Sequence, residues 1–423
     1  MSIFIAILFF IVFFYLSCKR PVFGLSAIIV LLPTYLWRYD FFGLPTTFLE
    51  LMIVSLFIIW LCKDKKYKRI NFSLNKKSDN PIPPKLRYTL LAWLLVSLIG
   101  LATNFSLASL GLWRAYFLEP MMFFLIFIHT VRDKKDFLWI IKAIALLLSW
   151  LFVVTVYQYM TNWNFIPAYN PPNDLRLTGI FSYPNALSLL TAPLAIFLST
   201  WWLTLKNKTD NIYYLLAGIL GLSLSIFAIS QGAMLAILIS VAVLLILAKK
   251  TRKWAISLFS LAIILFIVVL PKLNIDLNPD LNLQSSSVDI RLNQWNETLD
   301  MLGDKFILGA GIDGYQTALQ NHHQTEWLEI YLYPHNIFLN FWTELGLLGL
   351  LVFIVMLSLI VSRLMDLFKD KNKLTWPLTL VWTVWFVHGL VDVPYFKNDL
   401  SILFFALLAI TFYGGYKKQK QKN

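Results

Sequence analysis

Thirteen apolar runs, separated by short polar or basic stretches, organise the chain, at about residues 2–17, 22–37, 46–62, 88–104, 113–131, 137–159, 184–204, 212–230, 232–248, 254–270, 336–362, 376–393 and 400–416. About 20 residues cross a bilayer, so the pattern predicts an all-α fold, a polytopic membrane helix bundle of about 12–13 spans. The first two runs could instead form a re-entrant hairpin. Ser2 to Ser17 leads straight into Cys18-Lys19-Arg20-Pro21, without the basic start or small-residue cleavage site of a signal peptide, and is read as a retained helix. No repeat with a clear period is present, and no segment between runs is large enough to fold alone. Residues 1–423 are therefore read as a single transmembrane domain.

Composition agrees. The chain is 58% hydrophobic and 14% charged, with a mean hydropathy of +0.68. Soluble domains carry nearer 25% charged residues, which excludes a water-soluble globule, and so much apolar surface excludes disorder. The net charge of +13, from 36 Lys and Arg against 23 Asp and Glu, would ordinarily raise nucleic acid as a partner. Its distribution gives a different meaning. The segment 63–87, the turns at Lys19, Arg132, Lys206, Lys249 and Lys369, and the tail 417–423 all fall on one side when the spans alternate, which marks that side as cytoplasmic. The opposite side holds two external loops, 160–183 and 271–334, the second with three basic and nine acidic residues. The charge thus reports topology, with the C-terminus cytoplasmic, and no nucleic acid is needed. Cys18 and Cys62 form neither a disulfide framework nor a thiolate metal site.

The external loop 271–334 has a pattern of its own. Val288, Leu292, Trp295, Leu299 and Leu302 recur at i, i+4, i+7, i+11 and i+14, predicting an amphipathic helix that lies on the membrane surface or caps the bundle. Ser286 with Asp289 fits a capping box at its start, and Gly303 fits its end. Gly309-Ala-Gly311-Ile-Asp-Gly314 matches G-x-G-x-x-G, but a dinucleotide site needs a strand within a βαβ unit. A tight chain-reversing turn accounts for it better. His322 and Glu326, with His323 and Glu329 nearby, set two possible metal ligands on one helical face, yet no third fixed ligand is present and no metal is expected.

Tyr333-Pro-His335-Asn336 opens the next span. Asn336, Asn340 and Glu344 form a polar stripe on it, with Glu344 about 12 Å along the helix, where an ionisable group normally faces a cavity or partner. Gly346 and Gly349 allow close helix packing. His335, at the mouth, suits proton transfer, although a capping role alone would also fit. Arg291, viewed within its own helix, reads as a solvated interfacial arginine. Arg176 precedes Thr178-Gly179 and Tyr183-Pro184-Asn185. Arg114 and Glu119 could pair, Glu50 lies near an outer end, and His388 and Asp392 sit at i, i+4 in a late span. In this topology several arginines and one histidine converge on the outer leaflet. The planar arginine fork recognises phosphate oxygens, so a lipid-linked phosphate is a natural ligand.

These motifs resemble the O-antigen ligase/O-antigen polymerase family. The resemblance rests on Arg176-(x)2-Gly179 with Pro184-Asn185, on Arg291-(x)3-Trp295 followed by Leu308-Gly309-x-Gly311, and on His335-Asn336-(x)2-Leu339-(x)4-Glu344-x-Gly346-Leu347-x-Gly349. It covers most of residues 85–415. In one place the chain departs from the pattern: within Ser230-Gln231-Gly232, family members commonly carry Arg where this chain has Gln231.

The resemblance implies an inverting, metal-independent membrane glycosyltransferase of the GT-C type, without cofactor. It would transfer a glycan from a polyprenyl (undecaprenyl) diphosphate carrier to a lipid, protein or glycan acceptor, at the outer face of the bacterial cytoplasmic membrane. Carried over, Arg176 and Arg291 would hold the diphosphate with Gln231 at the departed position, and His335 would act at the acceptor hydroxyl. Trp295, Gly309, Gly311, Asn336, Asn340 and Glu344 would support them. Preplaced arginines stabilise a leaving group that gains charge as the bond breaks. Two other classes are open on the sequence: a transporter or flippase for a lipid-linked or anionic solute, against which no inverted repeat or paired broken helices appear, and a metal-dependent membrane hydrolase.

Overall fold

The computed structural model describes residues 3–41, 44–63, 81–164, 176–247, 287–325 and 328–413. Most of the basic segment 63–87, the run 254–270, Ser286, Glu326 and the tail 417–423 lie outside the described residues. The apolar runs that fall within them lie mostly on helix. In chain order these are α1 (Ile3–Lys19), α2 (Pro21–Val30), α3 (Phe48–Lys63), α4 (Pro84–Thr103), α5 (Leu107–Trp113), α6 (Glu119–Thr130), α7 (Lys134–Thr161), α8 (Pro184–Leu203), α9 (Ile212–Phe227) and α10 (Gln231–Leu247). The external α11 (Ser287–Asp304) and the short α12 (Tyr315–Leu319) follow, then α13 (Ile337–Lys369), α14 (Thr375–Gly389) and α15 (Asn398–Phe412).

Among the described residues, six helical segments are long and apolar enough to cross a bilayer, and they include α4, α7, α8 and α13. Shorter apolar helices, such as α1, α2, α10 and α15, accompany them. Among the described residues, fewer helices meet this length and composition than the 12–13 spans predicted for the whole chain. The difference has a simple origin: α10 has 17 residues and α15 has 15, or roughly 25 Å at most, and Pro21 separates α1 from α2. The belt that a bilayer would solvate is visible as exposed apolar residues, among them Ile11, Leu95, Leu146, Val153, Leu238 and Leu351. In water such a surface would drive aggregation; in lipid it is the expected exterior. The sequence pattern contained no strand, yet Arg38–Phe41 and Leu44–Thr47 form a short antiparallel ribbon, β1 and β2, between α2 and α3.

Two local irregularities build the ends of the bundle. A π turn, Arg114–Leu118, joins α5 to α6 and brings residues five apart onto one face. Arg114 there bonds Glu119 at 3.1 Å and Glu50 at 2.6 Å, so the pairing expected for Arg114 forms and is extended to α3. The second irregularity is in α13, whose helical path breaks at Gly346 (φ 70°, ψ −175°). The Lys305–Gly311 segment docks against this break. Ala310 N–H donates to the Thr343 carbonyl at 2.7 Å, and Leu347 N–H donates to the Ile307 carbonyl at 3.0 Å. These bonds replace the helical partners that the break removes. A Cβ on Gly346 would lie 2.2 Å from the Ile307 oxygen, and one on Gly309 (φ 68°) would lie 2.4 Å from the Thr343 oxygen. The glycine turn is therefore a plug fitted to a broken helix.

Helix α11 forms where the periodicity predicts it, but its faces are used differently. Gln294, Glu297, Thr298, Met301 and Leu302 are buried, whereas Val288, Leu292 and Leu299 of the apolar stripe are exposed. The polar side caps the protein. Only Leu302 at the end of the stripe, and Trp295 in part, turn inward.

Candidate functional site

A cavity of about 170 Å³ opens where α8, α10, α11 and the end of α14 meet, and its lining includes Arg176, Asn185, Gln231, Ser287, Arg291, His388 and Asp392. Four separate stretches of sequence contribute. Each functional side chain is fixed by backbone geometry that can be traced.

Arg176 stands just before a loop tied to the end of α7. The Gln158 side-chain oxygen accepts from Thr178 N–H at 3.1 Å and Gly179 N–H at 2.7 Å, and its amide donates to the Thr178 hydroxyl. Gly179 takes a left-handed φ of 60°, which places it against α7. The Arg176 guanidinium donates to the Ala228 carbonyl at 3.1 Å and to Asn185 Oδ1 at 3.4 Å. Ala228 follows α9, so a cation occupies the negative end of that helix. Asn185, in the first turn of α8, in turn donates to Asp392 Oδ2 at 3.1 Å.

Arg291 reaches the same cavity from α11. Its Nε donates to the Val391 carbonyl at 2.8 Å, and its Nη1 donates to the Ser287 carbonyl at 2.8 Å and also meets the Ser287 hydroxyl. Among the described residues neither arginine is ion-paired with a carboxylate, so both keep their charge for the cavity. The reading of Arg291 as a merely solvated arginine does not survive this geometry. Gln231 and Gly232, the first residues of α10, also line the cavity, so the positive end of that helix opens on it. Gly232 permits the approach: a Cβ there would lie 3.1 Å from the His388 ring.

His335 lies beside this cavity without lining it. Its φ of 47° is left-handed, an uncommon setting for a residue with a Cβ, though less so for His. Helix α11 holds it there: Gln294 donates to the Tyr333 carbonyl at 2.7 Å, Trp295 donates to the Pro334 carbonyl at 2.9 Å, and His335 Nδ1 is 3.0 Å from Gln294 Oε1. Because the Gln294 NH₂ faces a carbonyl, its oxygen is the end turned to His335. An amide oxygen only accepts, so Nδ1 carries the hydrogen and Nε2 keeps its lone pair. Burial pushes the His335 pKa below its usual value, with the nearby Arg291 charge acting in the same direction and Asp392 opposing. The group is thus a neutral base with a defined tautomer. Tyr331 and Tyr333 pack on its ring, and Tyr333 also donates to the Tyr183 hydroxyl at 3.2 Å.

The remaining predicted residues serve the scaffold around this centre. Asn336 caps α13, accepting from the N–H groups of Phe338 and Leu339, and donates to the Leu390 carbonyl. Glu344 is buried below it and accepts from Asp313 N–H at 3.1 Å, which ties it to the glycine plug rather than to the arginines. Gly309 and Gly311 form that plug. Asn340 is buried with neither amide atom hydrogen-bonded. The metal geometry expected as a possibility around His322 is also replaced by something simpler. His322 leaves its helix within one residue and pairs with Asp300 at 2.8 Å, while His323 pairs with Glu297 at 3.0 Å. Burial raises the Glu297 pKa, but hydrogen bonds from His323, Thr325 and Gln324 outweigh it and hold the carboxyl below its usual value. These contacts clip the 320–325 segment onto α11. Among the described residues no group of three or more His, Cys, Asp or Glu side chains converges as a metal site would require.

The sequence placed Asn185 in the Arg176 motif and His388 with Asp392 at i, i+4, but gave none of the three a role at the site. Ser287 and Gln294 gave no signal at all.

Fold and site together define a polytopic membrane protein with a cationic cavity at one end of its helices and a neutral histidine beside it. Residues 216–354 match the family described as O-antigen ligase, so this segment is similar to the family that the sequence motifs resemble. The match covers about a third of the chain and includes Gln231, Arg291, His335 and Glu344; Arg176, His388 and Asp392 lie outside it. No curated protein matches the chain.

Proposed function

We propose that this protein transfers a glycan from a polyprenyl diphosphate carrier to an acceptor hydroxyl, with inversion, at the outer face of a bacterial cytoplasmic membrane. The observation that carries this reading is the meeting of Arg176 and Arg291, from distant segments, in one cavity with the N-terminus of α10 and next to a histidine with a preset tautomer. A diphosphate is the ligand such a charge distribution suits. Two permanently charged forks answer its oxygens, and the open end of α10 adds a third favourable contribution in the absence of an arginine at Gln231.

In the proposed reaction, His335 Nε2 takes the proton of the acceptor hydroxyl. The oxygen attacks the anomeric carbon from the face opposite the carrier, and the bond from that carbon to the diphosphate oxygen breaks. Charge grows on the diphosphate as the bond stretches, and the arginines stabilise it most at that stage. His335 then releases its proton to solvent. Asn185 and Asp392 act as positioning residues, since Asp392 orients Asn185 and Asn185 orients Arg176. The permanent charge of the arginines takes the part that a divalent cation plays elsewhere, so full activity in a chelator is expected, and loss of activity restored by a divalent metal would contradict it.

The experiment is transfer from a labelled lipid-linked oligosaccharide by the purified protein in liposomes. Label on the acceptor supports the reading, and label carried across the bilayer without transfer would instead indicate a flippase.

A further inference from the structure

The proposed reaction gives no part to His388, a residue near the end of α14 that is only 2% exposed and lines the Arg176–Arg291 cavity. The Cδ2–Nε2 edge of its ring faces the first turn of α10, since a Cβ on Gly232 would lie 3.1 Å from Cδ2 and 3.3 Å from Nε2. Among the described residues the ring makes no hydrogen bond. Every imidazole carries at least one N–H donor, and a buried donor without an acceptor is unfavourable.

The acceptors of the lining are engaged elsewhere. Asp392 accepts from Asn185 through Oδ2 and from the Val393 N–H through Oδ1. Asn185 Oδ1 and the Ile229 carbonyl accept from Arg176, while the Val391 and Ser287 carbonyls accept from Arg291. Gln231 is exposed and makes no bond to the ring. The other groups around the cavity are donors: two guanidinium forks and the N–H groups that open α10. The ring N–H therefore lacks an acceptor that a ligand can bring, and the charge of the lining makes that ligand an anion.

We propose, on the reading of this cavity as a diphosphate site, that His388 is a further catalytic residue, donating its ring N–H to a diphosphate oxygen on the α10 side. Its part is distinct from that of His335. His335 offers a lone pair to the acceptor hydroxyl, whereas His388 offers a hydrogen to the group that leaves. No proton changes owner at His388; its hydrogen bond strengthens as charge grows on the departing diphosphate. A histidine that only filled volume between α14 and α10 would be replaceable by an apolar side chain without effect on the ligand.

The test is equilibrium binding of farnesyl diphosphate to the full-length protein in neutral detergent, for wild type, His388→Gln, His388→Phe, His388→Leu and Arg291→Ala. A hydrogen bond to a charged group accounts for roughly 10- to 100-fold in affinity. Phe and Leu keep apolar bulk and lose the donor, so they should bind that much more weakly, while Gln keeps a donor and should stay close to wild type. Wild-type affinity in His388→Phe or His388→Leu would overturn the assignment, and so would an equal loss in His388→Gln. Two donorless side chains of different shape are used, so that a fold lost in one, seen as a collapsed melting temperature, leaves the other to decide. The underlying reading fails separately. If wild type does not bind farnesyl diphosphate, or Arg291→Ala binds it equally well, the cavity is not a diphosphate site and the role of His388 falls with it. Loss in Arg291→Ala with wild-type binding in His388→Phe removes His388 alone.

Discussion

The orientation of one amide, Gln294, decides which nitrogen of His335 is basic. With its NH₂ on the Tyr333 carbonyl and its oxygen on Nδ1, the side chain leaves Nε2 as the acceptor. Burial lowers the His335 pKa, so the base form persists below the ordinary value of about 6.5, and the acidic limb of the pH–rate profile is expected there. Gln294→Glu puts a carboxylate against Nδ1–H, favours imidazolium and raises that pKa. Its acidic limb should therefore move to higher pH, and a profile that stays in place or moves down would remove Gln294 from this role. The arginines are tested differently. Arg291→Ala should lower transfer by about 10²–10³-fold, the usual cost of one preorganised charge-stabilising group. Arg291→Lys should recover little, because three of the fork's bonds go to Val391 and Ser287. At this scale the sequence was informative about residue types and spacing but not about convergence. Arg176, Gln231, Arg291 and Asp392 meet only because α7, α9 and α11 hold their backbones, and that depends on bonds such as those of Gln158 which no local pattern encodes.

Among the elements, the broken α13 and its glycine plug are the feature most sensitive to small change. Gly346 requires both a left-handed φ and the space a Cβ would take from the Ile307 carbonyl. Gly346→Ala should destabilise by about 1–3 kcal/mol from backbone strain and more from the clash, read as a lower melting temperature in detergent. An unchanged melting temperature would show that the break is not required. Gly346 was legible as a packing glycine, but not as a break, since its neighbours Leu345 and Leu347 continue an apolar run. Helix α11 shows the converse. Its hydrophobic period located the helix correctly, while its apolar stripe stays largely exposed because Gln294 and Glu297 are committed to His335 and to the 323–325 segment. Buried polar groups cost less when every bond is made, and here the polar face has the partners.

For the molecule as a whole, apolar periodicity made the helical membrane class plain, because a bilayer permits few alternatives. The number of full crossings was less legible, since composition does not reveal where a run is divided or shortened. Orientation rests on the distribution of Lys and Arg and has a direct check. In a cysteine-free background, with Cys18 and Cys62 replaced, a membrane-impermeant thiol reagent applied to intact cells should label Asn321→Cys and leave Lys371→Cys untouched. The reverse pattern would invert the topology and move the Arg176–Arg291 cavity to the inner face. The central claim is that this cavity holds the diphosphate of a lipid-linked glycan while His335 activates the acceptor. It is tested most directly by transfer from labelled polyprenyl-diphosphate oligosaccharide with purified wild type, Arg291→Ala and His335→Ala at equal amounts in liposomes. The account predicts labelled acceptor with wild type and at least a hundredfold less with either variant; wild-type rates in both would contradict it.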